Sequence, residues 1–227
     1  MKILVVNPNT TASMTNKIAR AARAVARPDT EIVAATSQAG PASIQGFLDV
    51  ATCVPGLLEE VARHKDVDAI VIACFDDTGL DAVRTLVSVP VLGIGEAAYH
   101  AASMIANKFS VITTLSRSVP GLENNLMRYG LAQKCARVRA TDIPVLKLEE
   151  GDPATLSKIR SEISASIAQD NTEAIVLGCA GMADLMAQLS AEFGLPVIDG
   201  VAAGVTFAEA LVNNRLGTSK IGAYSRS

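Results

Sequence analysis

Two thiols carry most of the chemistry this chain could do. Cys74 ends the run Ala69-Ile70-Val71-Ile72-Ala73 and is followed by Phe75-Asp76-Asp77-Thr78-Gly79. Cys179 ends Ala174-Ile175-Val176-Leu177-Gly178 and is followed by Ala180-Gly181. The frames downstream match as well, with Val89-Pro90-Val91 after the first and Leu195-Pro196-Val197 after the second. Such an echo indicates a duplicated half, with two thiols facing each other across one small-molecule pocket. A thiol titrates near 8.5 when free, and a helix N-terminus or a nearby cation lowers that value. Cys179 precedes a predicted helix, whose unpaired N–H groups favour a thiolate or an enolate oxygen. Thiols on opposite faces of one carbon can remove a proton from one side and return it from the other. That is racemisation or epimerisation, and it needs no cofactor. The rival reading makes both cysteines small buried apolar residues, and their equivalent places in a repeat weigh against it. Cys53 and Cys135 lack the frame and are read as packing residues.

The residues around the thiols leave alternatives open. Asp76 and Asp77 raise a neighbouring thiol's pKa if they point at it; they could instead cap the next helix or accept hydrogen bonds from a ligand. Gly178, Ala180 and Gly181 leave room for a ligand to approach the backbone. His64 and His100 show no metal-ligand spacing, so no metal site is expected. Gly93-Ile94-Gly95 lacks the third glycine of a dinucleotide fingerprint, and neither a phosphate-binding loop nor a Gly-x-Ser-x-Gly elbow is present. The 227 residues are 49% apolar with a net charge of −3. Lys and Arg are scattered singly, which argues against nucleic acid as a partner. Four cysteines, two of them ending apolar strands, suit a reduced cytoplasmic chain better than a secreted framework. The first residues run straight into a strand, so no secretory signal is expected. The weakly charged stretch 87–107 is interrupted by Pro90, Gly93, Gly95, Glu96 and His100, so no membrane span is expected.

To present both thiols at one place the chain needs strands that end together. The apolar periodicity predicts strands at 2–6, 31–35, 69–73, 91–94, 109–113, 136–140, 174–177 and 197–198. Helices are predicted at 14–25, at 47–64 with a kink or break at Pro55, at 81–86 capped by Asp81, and at 96–105. In the second half they fall at 120–129, 156–169, 183–193 and 201–213. Alternating strands and helices imply parallel sheets covered on both faces. The expected class is α/β, as two similar lobes related by internal duplication, each a parallel sheet flanked by helices. Residues 1–97 plus about 205–227 form the Cys74 lobe, and residues 98–204 form the Cys179 lobe. Ligands of such sheets bind beyond the carboxyl ends of the strands. The segments 7–10, 74–78, 113–116 and 179–182 all fall there, lining the cleft between lobes.

Several stretches together are specific: Asn7-Pro8-Asn9-Thr10, Gly40-Pro41-Ala42-Ser43-Ile44, Ala73-Cys74-Phe75-Asp76-Asp77, Leu177-Gly178-Cys179-Ala180-Gly181-Met182, and Thr218-Ser219-Lys220 with Gly222-Ala223-Tyr224. On these the chain resembles the aspartate/glutamate racemase superfamily, and within it is most similar to the hydantoin racemases and the closely similar allantoin racemases. The resemblance implies a cofactor-independent racemase acting at C5 of a 5-substituted hydantoin, with Cys74 and Cys179 as the acid/base pair, and a homo-oligomer. It places ring-binding positions on Asn9, Ile44, Phe75, Thr113, Thr114, Ala180 and Gly181. Asp76 and Gly178 join them, the first as a hydrogen-bond acceptor and the second as a place of close approach. Amino-acid racemases of the superfamily follow each catalytic cysteine with Thr or Asn to hold a carboxylate. Phe75 and Ala180 stand there in this chain, and they suit a neutral ring better than a charged amino acid.

Overall fold

The computed structural model describes residues 1–150 and 152–225. Two four-stranded parallel sheets carry the chain. The first comprises β1 (Lys2–Asn7), β2 (Glu31–Thr36), β3 (Ala69–Ile72) and β4 (Val91–Gly93), ordered β2-β1-β3-β4. The second comprises β5 (Phe109–Thr113), β6 (Cys135–Ala140), β7 (Ala174–Leu177) and β8 (Val197–Asp199), ordered β6-β5-β7-β8. The two orders are the same, so the repeat in the sequence is a repeat in topology. The central strands are buried along nearly their whole length, the signature of parallel sheets with both faces covered.

Period-two alternation then divides the core. Ile3, Val5, Val71, Phe109, Val111 and Val176 point into one central cluster shared by both sheets. Leu4, Val6, Ile70 and Ile72 point the other way, against Leu57 and Val61 of α2 (Phe47–Arg63) and Leu80 and Val83 of α3 (Leu80–Leu86). In the second sheet Ile112, Ile175 and Leu177 face Ile159 and Ile163 of α6 (Pro153–Gln169) and Leu189 of α7 (Met186–Phe193). The remaining helices are α1 (Ala12–Val25), α4 (Ile94–Ile105), α5 (Val119–Arg128) and α8 (Gly200–Asn213).

Helices α4 and α8 cross between the halves. Helix α4 leaves the first sheet and packs on β7 and β8 of the second; α8 leaves the second sheet and packs on β3 and β4 of the first, and the two helices pack on each other. The crossing is tight. A Cβ at Gly200 would lie 2.6 Å from the Ile94 carbonyl oxygen, and one at Gly204 2.9 Å from Val71. The last residues return to the first half. The Thr218 hydroxyl donates to the Val89 carbonyl at 2.7 Å, Lys220 Nζ to the Thr85 carbonyl at 3.1 Å, and the Tyr224 hydroxyl to Asp81 at 2.8 Å.

Pro55, expected to kink or break α2, lies inside it without ending it. The structure departs from the sequence reading at two local points. Asp81 does not cap α3: the helix begins one residue earlier, behind Gly79 in the left-handed region (φ 71°), and Asp81 instead binds Arg128 and Tyr224. The helix predicted at 183–193 is a 3-10 turn over Ala180–Leu185 followed by the shorter α7. Among the described residues no helix is long and apolar enough to cross a membrane.

Candidate active site

Both cysteines follow the third strand of their sheet, Cys74 after β3 and Cys179 after β7, and both line one cavity between the lobes. Asn9, Ile44, Phe75, Asp76, Thr113, Thr114, Gly178 and Ala180 line it too. Gly181 does not. It lies behind the turn, where its backbone N–H donates to Cys179 Sγ at 3.4 Å. Met14, Ala73, Ser118 and Val145 complete the wall. Of these, Ser118 adjoins the 113–116 segment expected to line the cleft, whereas Met14 belongs to the apolar periodicity of a helix and Val145 sits in a stretch without periodicity. The cavity measures about 30 Å³, roughly the space of two waters. A five-membered ring therefore requires its walls to give.

Those walls are loops tied across the lobes. Gln45, from the loop before α2, accepts a hydrogen bond from the Val145 backbone N–H at 3.2 Å. Lys17 of α1, whose side chain is only 14% exposed, donates to the Gly181 carbonyl at 3.1 Å and pairs with Asp184 at 3.3 Å. It thereby holds the turn that carries Cys179. Beneath Asn9 a polar cluster fixes the β1 loop: Asn9 Oδ1 accepts from Asn7 Nδ2 and the Thr11 N–H, each at 2.9 Å. Its amide nitrogen is left facing the Met14 thioether at 3.6 Å, a weak acceptor. The Thr113 hydroxyl is committed to the Gly178 carbonyl at 3.1 Å, so it braces the Cys179 strand.

The electrostatics around Cys74 favour the neutral thiol. Burial pushes its pKa well above the usual value and the Asp76 carboxylate adds to this, while the Asp76 backbone N–H and the Thr78 hydroxyl pull the other way. Asp76 is itself pushed up to about 6, by burial first and then by the charge of Asp49. Removing the like charge must make the thiolate easier to form. Asp76→Asn therefore moves the alkylation of Cys74 by iodoacetamide to lower pH. Peptide mapping, which separates Cys74 from the buried Cys53, checks this; an unchanged profile would show that Asp76 does not act on the thiol.

Asp77 has a different task. Its carboxylate accepts from the Gly95 N–H at 2.8 Å, the Glu96 N–H at 2.7 Å and the Tyr129 hydroxyl at 2.8 Å. It caps α4 rather than the next helix, and ties the Cys74 loop to the helix that crosses over. The second half caps its crossing helix locally: Asp199, at the end of β8, accepts from Val201 and Ala202. The equivalent end of β4 is Gly93, opposite Ile72 as Asp199 is opposite Leu177. A Cβ at Gly93 would collide with the Asp77 carboxylate at 2.0 Å. That glycine makes room for a carboxylate delivered from the Cys74 loop.

Two sheets of one topology, each ending its third strand on a cysteine at a common cavity, define the two-lobe α/β fold of the racemase class. The family model for Asp/Glu/Hydantoin racemase matches residues 3–208, and the chain belongs to that family. It is 45% identical to the hydantoin racemase of Pseudomonas sp. (strain NS671) over 99% of this chain and 91% of that one. It is 47% identical to the hydantoin racemase of Rhizobium meliloti, over 99% and 94%. The solved allantoin racemase from Klebsiella pneumoniae superposes with a TM-score of 0.97 at 46% identity, covering 100% of this chain and 94% of that one. The protein is thus an isomerase of the racemase type.

Proposed function

We propose that the protein racemises 5-monosubstituted hydantoins at C5 by proton transfer between two thiols, without a cofactor. The observation that carries this reading is that Cys74 and Cys179, from equivalent places in the repeat, line the same cavity. In the resting state Cys74 is the thiol, since burial and Asp76 hold its proton, and Cys179 is the base. The Gly181 N–H on Cys179 Sγ favours its thiolate. The thiolate takes the C5 proton, the electron pair passes onto the C4 oxygen as an enolate, and the Cys74 thiol returns a proton to the opposite face. The product leaves the sulfurs with their charges exchanged, ready for the other enantiomer. A thiol whose pKa is pushed up gives a stronger base on that return trip, closer in basicity to a carbon acid. The amide nitrogen of Asn9 supplies a donor for a ring carbonyl, and its benefit grows as the oxygen becomes an enolate. Ile44, Phe75, Asp76, Thr113, Thr114, Gly178 and Ala180 shape the ring site, and Gly181 acts through Cys179.

Allantoin, a ureido-substituted hydantoin, is the second reading, favoured by the likeness to the Klebsiella pneumoniae allantoin racemase. The division of the chain into residues 1–97 with 205–227 against 98–204 belongs to this picture, supported by the tail's bonds to Thr85 and Val89. So do a homo-oligomeric state and a cytoplasmic location, the latter in keeping with the free thiols of Cys53, Cys74 and Cys135. An enantiopure hydantoin incubated with the protein in D₂O should lose its optical rotation and gain deuterium at C5. Retained rotation and protium across alkyl, benzyl and ureido hydantoins would reject the assignment.

A further inference from the structure

A second pocket adjoins the cysteine cavity. It lies between the first turns of α2 and α5, measures about 160 Å³, and shares two walls with the cavity, Asp76 and Ser118. Its apolar lining comes from Phe47, Val50 and Gly121, and its polar lining includes Arg117, Asn124 and Asn125. Cavities of roughly 150 Å³ take up a benzene ring. When the proton leaves one face of C5 and returns to the other, the remaining three bonds lie near the plane between the sulfurs. Two of those bonds belong to the ring, so the third must direct the substituent sideways, out of a cavity too small to hold it.

We infer that this pocket receives the C5 substituent, up to the size of a phenyl ring, and that Gly121 sets its depth. The inference rests on the hydantoin reading above. Gly121 sits in the first turn of α5, and a Cβ there would meet Phe47 Cε1 at 3.7 Å and Asp76 Oδ1 at 3.9 Å. These are ordinary contacts, so a side chain at 121 enters the pocket without moving the backbone. Helix propensity also improves when glycine is replaced. Phe47 forms the opposite wall and is 63% exposed, so trimming it deepens the pocket at little cost to the core.

The test measures kcat/KM for racemisation of 5-methyl-, 5-benzyl- and 5-(indol-3-ylmethyl)hydantoin, with C5 deuteration as the readout. In Gly121→Leu the benzyl-to-methyl ratio falls about 30-fold, the range expected for overfilling an apolar pocket, and Gly121→Ala falls between. In Phe47→Ala the indolylmethyl-to-methyl ratio rises several-fold. Equal changes for all three substrates in Gly121→Leu overturn the inference while leaving the racemase assignment intact. Should Gly121→Leu fail to give a cooperative thermal melt, Phe47→Ala decides, with an unchanged ratio counting against the pocket. A wild-type protein that exchanges C5 in none of the three refutes the hydantoin reading and this pocket's role together.

Discussion

Replacing either Cys74 or Cys179 by serine lowers racemisation about 10³-fold in both directions, the scale of losing a positioned acid/base group. Under the two-thiol scheme both directions suffer, because each needs one sulfur to accept and the other to donate. Proton exchange is affected differently. The remaining thiol still faces one side of C5, so each variant keeps deuterium incorporation into a single enantiomer without inverting it. The two variants must retain opposite enantiomers. Incubation of each enantiopure hydantoin in D₂O, followed by chiral separation and mass measurement, reads this directly. Full racemisation in either variant, or the same enantiomer exchanging in both, removes the two-thiol scheme. Either result would leave the cysteines as residues that merely pack beside the site.

The second large effect is on stability. Asp77→Ala lowers the unfolding free energy by about 3–5 kcal/mol and Tm by roughly 10 °C. It strands the Gly95 and Glu96 N–H groups and the Tyr129 hydroxyl, each costing about 1 kcal/mol or more. It also puts a β-carbon without a local polar partner at φ 51°, where asparagine, aspartate and glycine are tolerated. Asp77→Gly keeps the backbone and loses only the cap, so it should fall between alanine and wild type. The pH dependence has a defined sign. Burial raises Asp77 to about 7 against the pull of its three donors, so the folded state binds this proton more tightly than the unfolded chain does. Its contribution is full below about pH 4 and declines as pH rises through 7, by about 4 kcal/mol for a shift of this size. Denaturant melts at pH 5 and pH 8 should therefore show wild type losing its advantage over Asp77→Asn at the higher pH. An advantage that grows with pH would contradict it.

Much of this architecture could be read from the chain because its signals are local. Runs such as Ile3–Val6 and Ala69–Ile72 announce buried parallel strands by composition alone, and the matching frames around Cys74 and Cys179 announce the repeat. What stayed hidden depends on partners distant in sequence. Nothing near Gly93 says that its missing side chain is filled by Asp77, because the two meet only when β4 and the Cys74 loop are side by side. Asp81 looked like a cap by position, yet Arg128 and Tyr224, from α5 and the tail, claim it. The segment around Val145 has no periodicity to notice, and it becomes a wall of the cavity only through Gln45 from the other lobe. Gly181 illustrates the reverse: it was placed correctly near the thiol, but it contributes an N–H from behind instead of a surface.

The exchange of α4 and α8 limits how this molecule can breathe. Each sheet is roofed by a helix whose chain originates in the other half, so swinging the sheets apart would bare Tyr99, Phe109, Val201 and Val205 at once. Wide clamshell opening would therefore carry the cost of exposing that shared core. The surface segments over the cavity are tied to each other by the Gln45–Val145 hydrogen bond, about 1 kcal/mol net, and by Lys17, which donates to the Leu148 carbonyl at 3.5 Å. A trunk shared in this way fixes the strand ends that carry Cys74 and Cys179 relative to each other.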